Sequence, residues 1–180
     1  MVLVAGVVLG TFGIALANPF GYPGNYAANN GTHAVYFYSS LDTDLADATQ
    51  WSMDHNYTPV PRIYAYRTYA YASWNDVWVA DGHYGATGWY AAAPCAAGAT
   101  YGGSGTHTWC KPRLVKYNRS YPEAFDTATE RRWLACHELG HTLGLFHNPD
   151  TQYSCLAENP LNPPWTELDA HNEIHLQVEY

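Results

Sequence analysis

Within the twelve residues from Cys136 to His147, CHELGHTLGLFH, stand three histidines, one glutamate and two glycines. His137 and His141 are four positions apart, so on a helix both imidazoles leave the same face, one turn above the other. That spacing offers two nitrogens to a single ion. Glu138 lies one step round the helix, where its carboxylate reaches a water on the metal rather than the metal itself. Gly144 can take the left-handed conformation that ends a helix, and the reversal would return His147 as a third ligand. Three protein ligands leave a fourth tetrahedral position for water, which is what separates a catalytic zinc from a structural one. Such an ion acidifies its water and polarises a carbonyl, and Glu138 is placed to act as general base. The pattern HExxHxxGxxH fixes five positions and falls at the end of an expected helix, the context it requires.

These residues need a scaffold. Thr127-Ala128-Thr129-Glu130 is a capping-box sequence that opens a helix running through RRWLACHELGHTLG. Upstream, the β-branched and aromatic content of His33–Ser40 predicts a strand. Leu41, Leu45, Ala48 and Trp51 then mark one face of a helix with Ser40 as N-cap. Ile63–Tyr66, Asp76–Ala80 and Arg113–Tyr121 read as strands, and Gly88–Pro94 as a short edge strand ended by its proline. AAGATYGGSGTHTW reads as a Gly-rich loop, and a last helix is expected from Thr166 to near Tyr180. Strands followed by two late helices predict an α+β domain with a small C-terminal part.

The chain has 180 residues and a net charge of -8, from 8 Lys+Arg and 16 Asp+Glu. That length suits one domain, and the acidic balance gives no electrostatic grip on nucleic acid. Val2–Ala17 is apolar and ends in Ala15-Leu16-Ala17, an expected signal peptide over 1–17, although no Lys or Arg precedes the apolar run. The mature part, 18–180, is expected to be a secreted, extracellular monomer without stable membrane association. Four cysteines in an exported chain predict two disulfides, with three possible connectivities. The local pairs are favoured: Cys95 with Cys110, closing the Gly-rich loop, and Cys136 with Cys155, tying the start of the motif to the segment after His147.

HELGHTLGLFH resembles the zinc-binding motif of the metzincin metallopeptidases, and looks closest to small secreted matrixin-like enzymes of bacteria. The likeness is strongest over Thr127–Cys155. It implies a zincin-like fold: a twisted mixed sheet above a cleft, the active-site helix beneath, an N-terminal subdomain over about 18–147 and a small C-terminal subdomain over 148–180. It also implies His137, His141 and His147 as ligands of one catalytic Zn2+, Glu138 as base, and a protein or peptide substrate lying along the edge strand. The sequence leaves calcium undetermined. Metzincins place a methionine in a turn after the third histidine, often as Ser-x-Met; here the matching residues are Ser154-Cys155-Leu156. That methionine acts by packing, and Leu–Met exchange in a packed site costs under about 1.5 kcal/mol, so Leu156 reads as a tolerated replacement. Where some relatives carry a tyrosine just beyond, this chain has Glu158. The expectation is a secreted zinc endopeptidase; the competing reading is a zinc-stabilised extracellular binding module with little or no catalysis.

Overall fold

A computed structural model describes residues 26–104, 107–158, 160 and 162–180. The expected signal peptide over 1–17 lies outside them. Six strands form one mixed sheet: β1 (Thr32–Phe37), β2 (Tyr64–Thr68), β3 (Val77–Gly82), β4 (Ala91–Ala92), β5 (Cys95–Ser104) and β6 (His107–Asn118). Three α-helices complete the fold: α1 (Thr43–Ser52), which continues into a π-helical turn at Met53–Tyr57, α2 (Ala128–Thr142) and α3 (Ala170–Glu179).

The sheet runs β2-β1-β3-β6-β4, with β5 also paired to β6. β1, β2, β3 and β6 are mutually parallel where they pair, whereas β4 and β5 run antiparallel to β6. Alternation along the strands explains which face is covered. Val35, Phe37, Val77, Val79, Val115 and Tyr117 point to the core, where they meet Leu45, Met53, Leu134, Leu139 and Leu143. Tyr36, Tyr38 and Trp78 lie on the opposite, partly exposed face, where their rings cluster with Tyr71. α1 and α2 pack together on the covered side, and Thr49 on α1 bonds the Tyr117 hydroxyl at 2.9 Å. The fold is therefore mixed α/β, with a largely parallel sheet and an antiparallel edge, which is compatible with the α+β expectation.

Three local expectations are corrected. The Gly-rich segment is a β-hairpin rather than a loop: Thr100–Ser104 pair residue by residue with Lys111–His107. Asp42 rather than Ser40 caps α1, accepting from the Asp44 amide at 3.0 Å. α3 begins at Ala170, not Thr166, with Asp169 as its N-cap. The reason lies in residues 166–168. The Thr166 carbonyl accepts from Asn56, the Glu167 carbonyl accepts from the Cys155 amide, and the Leu168 amide donates to Asn56. Backbone groups committed to distant partners cannot also close a helical turn.

Both favoured disulfides form, Cys95–Cys110 and Cys136–Cys155, and a pair of disulfides fits an oxidising environment. Among the described residues no helix is long and apolar enough to cross a membrane.

Candidate metal centre

α2 starts on a complete capping box. The Thr127 side chain accepts from the Glu130 amide, and Glu130 reaches back to the Thr127 amide at 2.8 Å. Starting the helix there fixes the phase with which residues 137, 138 and 141 emerge. Its other end is equally determined. Gly144 has φ +92°, and a Schellman arrangement closes around it. The Leu145 amide donates to Gly140 and the Gly144 amide to His141, each at 3.0 Å.

The reversal brings His147 back over the helix. One ligand nitrogen from each of His137, His141 and His147 lies within 4.8 Å of the others, a group that could hold a metal ion. Nε2 of His137 and Nε2 of His147 are 3.0 Å apart. The fit does not depend on proximity alone. Nδ1 of His137 faces the Cys155 carbonyl, and Nδ1 of His141 faces the Leu145 carbonyl, each at 2.8 Å. A carbonyl can only accept, so both protons sit on Nδ1 and both Nε2 lone pairs are left for a ligand. Burial holds the His137 imidazole down at about 4 and His141 well below its ordinary value, so both stay neutral. His147 is more exposed and is lowered less securely, since Glu158 opposes the effect of burial.

Glu138 is 4% exposed, and its Oε2 has no hydrogen-bond partner among the described residues. Buried carboxylate oxygens are normally paired, so an orphan beside three convergent imidazoles is a place held for something outside the chain. Burial pushes the Glu138 carboxyl up to about 8, and the Arg113 guanidinium pulls the other way.

Leu156, fully buried, packs against the helix at Gly140, where a Cβ would meet its two methyl carbons at 3.0 and 3.2 Å. It stands in the turn whose Cys155 carbonyl orients His137. Ser154 shapes that turn by accepting from the Leu156 amide at 3.1 Å and donating to Asn172 on α3 at 2.6 Å. The residues expected at the site are thus brought together, with the Cys136–Cys155 bridge joining helix and turn. Among the described residues this is the only group of three or more side chains that could hold a metal ion.

Two positioning residues escaped the sequence reading. Asn148, 3% exposed, anchors the segment that carries His147: its amide donates to Leu156, its carbonyl accepts from Glu158, and its side chain donates to Asp169. Arg113, 4% exposed, gives its guanidinium to the carbonyls of Ala93 and Tyr26 and so holds the end of the edge strand. An Asn-Pro pair reads only as a turn and an arginine in an alternating strand reads only as its solvent face, so neither carried a signal.

A cleft runs past the imidazoles beneath β4. One part, about 650 Å³, is lined by Trp89, Ala92, Pro94, Lys116, Phe146 and His147. The other, about 410 Å³, is lined by Tyr90, Trp133, Leu134, Glu138, His147 and Glu158. Trp89 and His147 belong to both. β4 bonds to β6 on one side; on its other side no strand pairs with it among the described residues. No family model matches the chain, and no curated protein matches it.

Proposed function

We propose that the chain is a secreted zinc-dependent endopeptidase of the metzincin type, with His137, His141 and His147 as zinc ligands and Glu138 as general base. The observation that carries this reading is the unpartnered Oε2 of Glu138 beside three imidazoles. A purely structural site has no use for a buried carboxylate there, and the burial is costly without a proton or a cation nearby.

The donor set favours zinc over harder ions, because neutral imidazoles suit it and carboxylate cages suit calcium. When bound, the ion supplies Lewis acidity, acidifying water and polarising a carbonyl. The chain's own residues do the rest. The Cys155 and Leu145 carbonyls hold two imidazoles in one tautomer and one orientation. Glu138 takes the proton of the attacking water on its carboxylate and passes it to the leaving amine nitrogen. Its position in the cleft wall, away from bulk water, keeps that transfer direct.

The free side of β4 supports an extended peptide as substrate, added as a further strand so that main-chain bonds position it across the imidazoles. Trp89 and Phe146 on one side and Trp133 and Leu134 on the other supply apolar walls for its side chains. The two disulfides and the apolar leader support an exported protein acting outside the cell.

The test is hydrolysis of an unstructured protein such as casein by the full chain, with and without a zinc chelator, beside Glu138→Gln. Cleavage lost on chelation, restored by zinc and abolished in Glu138→Gln is expected. A folded, zinc-loaded chain that cleaves nothing would instead be an extracellular binding module. A chain that binds no zinc would overturn both readings.

A further inference from the structure

α3 carries a second pair of histidines, in Ala170–Glu179, AHNEIHLQVE. His171 and His175 are four apart and project from one face. Their Nε2 atoms are 3.2 Å from each other, with ring centroids 4.6 Å apart. The same two measures for His137 and His147 at the first centre are 3.0 Å and 4.8 Å. Two imidazole nitrogens each about 2.0–2.1 Å from one ion, at ligand angles between square and tetrahedral, stand roughly 2.9–3.4 Å apart. The α3 pair already meets that condition.

Two carboxylates among the described residues favour a cation, although each already has a partner. Asp169 accepts from the Asn172 amide at 2.8 Å and from the Asn148 side chain at 3.0 Å, and Glu179 is paired with His107. Both carboxylates are therefore engaged, yet both place negative charge near His175. His175 is 5% exposed and His171 is half-buried, so an approaching ion would meet His171 first.

We infer that His171 and His175 form a second, two-imidazole site for a divalent transition-metal ion, with water completing its coordination. The ligand type selects zinc, nickel or copper over calcium and magnesium. Bridging two successive turns, the ion staples the segment of α3 that contains Asn172. That residue accepts from Ser154, whose hydroxyl in turn supports the Leu156 turn. The inference is independent of whether the first centre is catalytic.

The experiment counts Zn2+ equivalents retained by the full chain at neutral pH, for the wild type and for His171→Gln. The wild type is expected to retain one equivalent more, and this difference holds whether or not His137, His141 and His147 also load. Nitrogen resonances of the His171 and His175 rings, followed by NMR in the wild type during the titration, give a second readout that needs no variant. Both Nε2 signals are expected to shift together with the additional equivalent. Equal stoichiometry in the two chains would overturn the site. So would an imidazole–imidazole hydrogen bond whose shared proton persists in excess Zn2+.

Discussion

Nδ1 of His141 donates to the carbonyl of Leu145 at 2.8 Å, across the single left-handed residue Gly144. One turn therefore ends the helix, fixes the tautomer of the second imidazole and sends the chain back toward His147. Gly144→Ala is expected to lower the free energy of unfolding by about 1–2 kcal/mol, the cost of a β-carbon in that conformation. Metal affinity should fall with it, because the acceptor of His141 moves. Gly144→Asn should lose less of both, since asparagine tolerates the left-handed region better. Urea unfolding and competitive zinc titration check this; unchanged affinity in Gly144→Ala would show that the turn does not orient His141.

Leu156 fills the space against Gly140 that a methionine could also fill. Leu156→Met should change stability by less than about 1.5 kcal/mol and leave hydrolysis within a few-fold of wild type. Leu156→Ala should cost about 2–5 kcal/mol through the cavity it leaves beneath the helix. Thermal unfolding and casein hydrolysis of the two variants measure this. A large gain of activity in Leu156→Met would mean that the residue tunes the metal rather than only packing.

The centre was legible because nearly all of it is local. The capping box, the four-residue histidine spacing and Gly144 lie within eighteen residues, and each acts through geometry that propensity and spacing already encode. What was not legible depends on partners far along the chain. Thr100–Ser104 look like a flexible loop because glycine favours no strand, yet they are held by pairing with β6 beyond the Cys95–Cys110 bridge. The start of α3 shifted because Asn56, 110 residues before Thr166, takes the backbone there. Arg113 acts on Tyr26, 87 residues away.

His33 is 2% exposed and makes stability depend on pH. The Thr142 hydroxyl already donates to Leu139 at 2.7 Å, so it accepts from Nε2 of His33 at 2.8 Å. The other nitrogen is buried without a partner among the described residues. Burial lowers this imidazole to about 4. A histidine whose folded value lies below its unfolded 6.5 contributes fully above pH 6.5, and the contribution is lost as pH falls from there toward 4. The loss should be on the order of 3 kcal/mol. Urea unfolding of the zinc-loaded chain at pH 7 and pH 5 should show about 2 kcal/mol of it, and His33→Gln should flatten the slope in that window. A variant with the wild-type slope would place the pH sensitivity in other groups.

Arg113 joins the edge strand to Glu138. Its guanidinium holds the Ala93 carbonyl, and its charge opposes the rise of the Glu138 carboxyl. Two variants separate these roles. Arg113→Lys keeps the charge but cannot span the carbonyls of Ala93 and Tyr26. It should cost about 1–3 kcal/mol of stability and speed amide exchange at Leu114, whose bond to Pro94 at 2.8 Å adjoins the lost contact. KM should rise while the pH profile of kcat stays in place. Arg113→Met removes the charge as well. Without it Glu138 holds its proton to higher pH, so less base is present at a given pH and the acidic limb of the rate profile moves upward. A profile that moves equally in both variants would mean that strand position, and not the guanidinium charge, sets the protonation of Glu138.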